Sequence, residues 1–192
     1  MLSLPPSRPP FQPFLCLLSL LLSLPKSLSI KLTPQTYPNA VIMGRKTWDS
    51  IPPRFRPLAD RLNVVISRSV PTIQPPKPGT TPELAFASSL EDALAHLQQG
   101  FTPRKVFVIG GGQIYGAALA LAQTRRILLT RVLTDFECDT FFPLKLSEGE
   151  TTGWKRSSHT ELEAWTGVEV PEGVQEENGT EYEFQMWERV DR

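Results

Sequence analysis

The sequence predicts an α/β fold, a mixed and mostly parallel sheet with flanking helices and an antiparallel C-terminal hairpin. Three observations predict it. Short apolar runs alternate with helix-like segments between residues 39 and 130, and such alternation implies parallel strands covered by helices. Two of those runs end in glycine directly before a helix start, at Gly44 and at Gly110. Near the C-terminus Asn178-Gly179 separates two strand-like runs, and that pair favours a two-residue hairpin turn.

Each element has a local reason. Ala40–Met43 is a short apolar run closed by Gly44 and reads as a buried strand. Arg45 to Ile51 can form a helix, which Pro52-Pro53 stops. Asn63–Ser67 is a second strand, and residues 70–82, with five prolines, are a loop. Ser88-Ser-Leu-Glu91 has the spacing of a capping box and opens a helix through Gln98. That helix carries Leu90, Ala93, Leu94 and Leu97 on one face, and Gly100 closes it. Val106–Ile109 is a third strand followed by three glycines. Ile114 to Leu121 is a helix and Ile127–Thr130 a fourth strand. Val174 to Asn178 and Tyr182–Trp187 form the hairpin.

Composition narrows the function. The chain has 192 residues, 20 Lys+Arg against 20 Asp+Glu, and 40% apolar residues. That suits one domain with a real core. Zero net charge argues against a nucleic-acid binder or a polybasic membrane-surface protein. Cys16 and Cys138 cannot form a disulfide framework, and His96 and His159 show no zinc spacing, so no metal is expected. His96 sits in an apolar helix and reads as structural.

The start of the chain differs from the rest. Eight of the 19 prolines fall in residues 1–38, and the first carboxylate side chain is Asp49. The apolar run from Phe14 to Leu24 is too short to span a bilayer, which takes about 20 residues. Its length fits a signal-peptide core, with small residues at Ser27-Leu28-Ser29. Residues 1–36 are therefore expected to be an atypical leader, disordered or arising from a misassigned gene start or retained intron. The folded domain is expected over residues 37–192.

Several residues could carry chemistry. Gly110-Gly111-Gly112-Gln113-Ile114-Tyr115 lies between a strand and a helix, a context in which bare backbone N–H groups bind phosphate. A tight structural turn is the alternative, and spacing alone leaves both open. The third glycine of the common dinucleotide fingerprint would fall on Tyr115. Gly44-Arg45-Lys46-Thr47 offers a hydroxyl and two cations at another strand-to-helix junction. Cations there oppose the helix dipole, which weakens the reading of a merely solvated face. Ser67-Arg68 ends a third strand and could hold a ribose 2′-phosphate, favouring NADPH over NADH. Three such sites at strand ends fit one extended dinucleotide. Arg61, just before a strand, could pair with a substrate carboxylate if buried, or with Asp60 on the surface. Asn178-Gly-Thr180 is a glycosylation sequon that the hairpin turn also explains.

Taken together, these segments resemble dihydrofolate reductases, with a fungal character. The resemblance rests on Asn39 to Pro52, Arg56-Pro57-Leu58, Arg61 to Arg68, Val108 to Tyr115, Leu129-Thr-Arg131, Asp135 to Pro143, and Val174 to Glu177 with Tyr182-Glu-Phe184. It covers about residues 37–190, with the motifs in order. It implies a dihydrofolate reductase-like fold and NADPH-dependent reduction of dihydrofolate in one-carbon metabolism, by a cytoplasmic monomer. It places NADPH phosphates at Gly44, Arg45, Lys46 and Thr47, and the adenosine 2′-phosphate at Ser67 and Arg68. Gly110, Gly111, Gly112, Gln113, Ile114 and Tyr115 would cradle the nicotinamide-side pyrophosphate, with a cis peptide between Gly110 and Gly111. Ile51, Pro52, Leu58 and Ile109 would line the folate pocket, Thr130 would support its pterin end, and Arg61 would hold the α-carboxylate of the glutamate tail.

One part of the resemblance is missing. The family's catalytic carboxylate lies N-terminal to the segment matching Asn39, where this sequence has no Asp or Glu. The first strand of the fold is also absent there, unless Leu28-x-Ile30-x-Leu32 stands in for it. The alternative function is therefore a catalytically inactive NADPH- or folate-binding module. A secreted or mitochondrial protein is the reading that gives the leader a role.

Overall fold

The structure is a computed structural model and describes residues 19–22, 39–69, 84–100, 103–135, 141–146 and 153–190. Its strands are β1 (Ser19–Leu22), β2 (Asn39–Gly44), β3 (Leu62–Ile66), β4 (Leu84–Ala87), β5 (Lys105–Val108), β6 (Thr124–Val132), β7 (Trp154–Arg156), β8 (Val174–Glu177) and β9 (Thr180–Arg189). Its α-helices are α1 (Arg45–Ser50), α2 (Leu90–Gly100), α3 (Gly112–Ala120) and α4 (His159–Thr166). The loop expected over 70–82 and the Leu28–Leu32 alternation lie outside the described residues.

The nine strands form one mixed sheet in the order β4-β3-β2-β5-β1-β6-β9-β7, with β8 also paired to β9. Strands β4, β3, β2 and β5 run parallel. β2 and β3 are buried along nearly their whole length, as expected of parallel strands covered on both faces. The expected C-terminal hairpin forms with β8 and β9 antiparallel. Its turn takes Asn178 at φ 52 and Gly179 at φ 77, the doubly positive conformation that Asn-Gly tolerates.

The leader contributes to this sheet. β1 lies between β5 and β6 and is antiparallel to both, with Leu20 opposite Val108 on one side and Ile127 on the other. The slot for a first strand is thus filled by residues 19–22, upstream of the Leu28–Leu32 alternation and inside the expected leader.

Alternation along β2 divides the core. Ala40 and Ile42 join Leu62, Val64, Val106 and Val108 on the face covered by α2 and α3. The four residues expected on the buried face of α2 all lie in this core. Each buried Leu contributes roughly 1.5–3 kcal/mol relative to exposure. Val41, Met43 and Val65 face the other way, under Trp48, Ile51, Leu58, Phe107 and Ile109. This second face has fewer fully buried groups and is the more open one.

Several boundaries differ from expectation. Ser89, not Ser88, caps α2, since its Oγ accepts the Asp92 N–H at 3.1 Å. The Ser88 hydroxyl donates instead to the Asp92 carboxylate. α3 begins at Gly112 rather than Ile114, because the Ile114 and Tyr115 N–H groups already bond the Gly111 carbonyl. β4, β7 and α4 were not expected. α4 has a complete capping box: the Ser158 N–H donates to Glu161 Oε2 at 2.7 Å, and the Glu161 N–H donates to Ser158 Oγ at 3.3 Å.

Candidate functional site

Parallel pairing brings the two glycine turns together. β2 pairs with β5 so that Ile42 lies opposite Val108, and both chains turn just beyond. The Gly44 N–H donates to the Gly110 carbonyl at 2.7 Å. Gly110 has φ +112, and a Cβ there would lie 3.2 Å from the Tyr115 hydroxyl oxygen. The Gly110–Gly111 peptide is cis, as expected. A Cβ on Gly44 would meet Ile114 at 3.4 Å, and one on Gly111 would lie 3.7 Å from Thr47 Oγ1. Gly44, Thr47, Gly110, Gly111, Ile114 and Tyr115 therefore share one small volume. Glycine is required at Gly110, where a positive φ and the nearby Tyr115 hydroxyl leave no room for a side chain. Tyr115 is held from behind by Phe142, edge-on at 5.6 Å.

The flanking cations stand around this crossing. Arg45 and Lys46 are exposed, as are Gln113 and Arg68. Arg45 Nε donates to Asp49 Oδ2 at 3.0 Å. An exposed pair of this kind is worth little, so the guanidinium remains available to an anion. β3 pairs with β2 so that Ile66 lies opposite Gly44. Ser67 and Arg68 thus follow at the same sheet edge. Ser67 is buried, its N–H donating to the Ala87 carbonyl at 2.9 Å and its Oγ accepting from the Ser69 N–H at 3.4 Å. The ends of β3, β2 and β5 line up in a row.

The expected substrate residues divide into two groups. Ile51, Leu58 and Ile109 pack together on the second face of the sheet. Pro52 is exposed beside them. Arg61 is not buried: it is exposed, and its Nε donates to the Ala59 carbonyl at 2.8 Å. The turn at Ala59-Asp60, with Asp60 at φ 56, carries it outward. Thr130 lies on β6, with β1 between it and β5. Since Val108 and Ile127 both oppose Leu20, Thr130 falls level with the Gly110–Gly111 turn.

At the opposite end of this second face lies a cavity of about 410 Å³ lined by Asn39, Lys105, Phe107, Leu128 and Trp165. Lys105 Nζ sits 3.9 Å from the Trp165 ring centre and donates to its carbonyl at 2.9 Å. Burial, with Arg104 and Arg126 nearby, holds the Lys105 amine below its ordinary pKa. This lysine secures α4 to the sheet and lies remote from the glycine crossing.

The family model for dihydrofolate reductase matches residues 18–189, a span that includes β1. The chain belongs to the dihydrofolate reductase family. It is 42% identical over 158 residues to the Pneumocystis carinii dihydrofolate reductase, covering 79% of this chain and 74% of that protein. It is 36% identical over 184 residues to the Cryptococcus neoformans enzyme, covering 81% and 77%. Both relatives are fungal. Among solved structures, Schistosoma mansoni dihydrofolate reductase aligns with a TM-score of 0.60 at 30% identity, covering 79% of this chain and 74% of that one. The family consists of oxidoreductases of folate and tetrahydrofolate metabolism.

Against this reductase family background, Asp49 is the first carboxylate in the sequence. It lies half-exposed on α1, paired with Arg45 at 3.0 Å and Arg56 at 3.4 Å. It therefore faces cations and solvent, not the apolar face beside Ile109. Sequence reasoning used Arg56 only as part of the resemblance and gave it no role; it lies over the Trp48 ring and donates to the Trp48 carbonyl at 2.9 Å. Sequence reasoning gave none to Asn63 either, the one polar residue in the apolar run of β3.

Proposed function

We propose that this chain binds NADPH along the row of strand ends and reduces 7,8-dihydrofolate on the adjoining apolar face. Ser67 and Arg68 hold the ribose 2′-phosphate. Arg45, Lys46 and Thr47 meet the phosphates, and the turn from Gly110 to Tyr115 admits the pyrophosphate close to the backbone. Ile51, Leu58 and Ile109 exclude water from the pterin and benzoate rings, with Pro52 at the rim. Thr130 supports the pterin end, and Arg61 reaches the α-carboxylate of the tail. Bound NADPH supplies the hydride. The observation that carries this reading is the contact of Gly44 with Gly110, with Thr47 and Tyr115 closing around them.

The test is titration of the folded chain with NADPH, followed by dihydrofolate-dependent NADPH oxidation. Saturable binding is expected, and at a hundred times Kd the cofactor should stabilise the fold by about 2.7 kcal/mol. A folded preparation with no fluorescence change and no thermal shift would overturn the cofactor assignments. A second reading is favoured by one observation, the absence of Asp or Glu before Asp49. In that reading the chain binds both ligands but turns over poorly at neutral pH. An organised proton donor typically contributes roughly 10²–10⁴-fold in rate. Saturable binding of both ligands, with oxidation that appears only as solvent becomes acidic, would support it.

A further inference from the structure

Asn63 stands second in β3 and is fully buried. An unpaired carboxamide there would be costly, yet this one is well used. Its Oδ1 accepts the Leu58 N–H at 3.0 Å. Its Nδ2 donates to the Leu58 carbonyl at 2.9 Å and to the Arg61 carbonyl at 3.1 Å. One side chain thus ties both backbone polar groups of Leu58 and the carbonyl of Arg61. Between those anchor points the chain makes the Ala59-Asp60 turn, and the Arg61 side chain bonds back to Ala59 within it.

The two tied residues differ in kind. Leu58 packs on the apolar face with Ile51 and Ile109, whereas Arg61 is an exposed cation. A loop joining an apolar wall to a cation would otherwise vary their separation freely. Three hydrogen bonds to a strand residue fix it, because β3 is itself paired on both sides. Only a carboxamide supplies one acceptor and two donors in this arrangement. Aspartate loses both donors and alanine loses all three bonds.

We propose that Asn63 is a positioning residue that sets selectivity for a ligand carrying an anionic tail at a fixed distance from its ring system. The inference rests on the reading of Leu58 as pocket wall and Arg61 as tail anchor.

The test compares binding of dihydrofolate with dihydropteroate, which has the same rings but no glutamate, to the full chain and its N63A and R61A variants. The unmodified chain should prefer dihydrofolate. N63A should lose about tenfold for dihydrofolate, the scale of one or two hydrogen bonds. It should lose little for dihydropteroate and keep NADPH affinity. R61A should lose the same preference, and the double variant should lose no more than either alone, as coupled residues do. If the unmodified chain binds both ligands equally, the Arg61 reading fails and takes this inference with it. If the unmodified chain discriminates and N63A discriminates equally well, only the role of Asn63 is overturned. Equal weakening of all three ligands by N63A would likewise make it merely structural. Should N63A fail to fold, hydrogen exchange in the unmodified chain decides. The Leu58 amide should be protected, more so with dihydrofolate than with dihydropteroate. Exchange at the rate of an open loop, or equal protection by both ligands, would overturn the proposal.

Discussion

Single residues set the geometry of the strand-end row. Gly110 combines a positive φ with a Tyr115 hydroxyl 3.2 Å from where a Cβ would stand. Gly110→Ala should therefore cost about 1–3 kcal/mol of stability and weaken NADPH binding, both readable from melting curves with and without cofactor. Gly116 is the contrast. It lies within α3, and nothing surrounds the position of its Cβ within 4 Å. Gly116→Ala should stabilise by about 0.4–1 kcal/mol and leave NADPH binding unchanged. Equal effects from the two changes would remove the argument from the crossing. Both turns were legible in the sequence, because glycine between a strand and a helix has few other uses. The exposure of Arg61 was not legible, since a residue before a strand faces either way according to its turn. Asn63 was equally silent: an asparagine in an apolar run looks the same whether or not it holds a neighbouring loop.

Length alone did not decide which helices and strands were legible: the four-residue β5 was foreseen and the eight-residue α4 was not. α2 shows a clear apolar face and was foreseen, although its cap lies one serine later than expected. β4 is half alanine and β7 has a lysine at its centre, residues depleted in strands, so neither stood out. α4 was missed despite Ser158-x-x-Glu161, the same signal that revealed α2. Its box has a measurable consequence. Hydrogen bonds from the Ser158 N–H and hydroxyl hold the Glu161 carboxyl below its ordinary pKa of 4.5. A carboxylate depressed in the folded state stabilises fully above that ordinary value, and loses its contribution as pH falls through the folded one. Ser158→Ala should cost about 1 kcal/mol at neutral pH and less at acid pH, as denaturant titrations at the two pH values would show. An undiminished cost at acid pH would separate the cap from the carboxylate.

The whole molecule depends on a strand from its least typical segment. The parallel block and the hairpin were legible in the sequence, whereas the position of β1 was not, because four residues of a leucine-rich run have no distinctive register. β1 joins the parallel block to the antiparallel half, pairing with β5 and β6. A chain of residues 37–192 would leave those two strands with unpaired backbone edges in the middle of the sheet. It should lose its cooperative melt and bind a hydrophobic dye, while the full chain melts cooperatively and binds little. Retained cooperativity in the shortened chain would mean that β5 and β6 close without β1.

That central position also imposes an order in time. Residues 19–22 leave the ribosome early, but β6 ends at Val132. At about 5–20 residues per second of synthesis, the strand waits roughly 5–20 seconds for its second neighbour. Throughout that interval residues 19–22 lack one of the two strands that flank them in the finished sheet. Once β6 has formed, the backbone of that segment is committed to the sheet. These four residues thus gain their last partner only after about two thirds of the chain has been made.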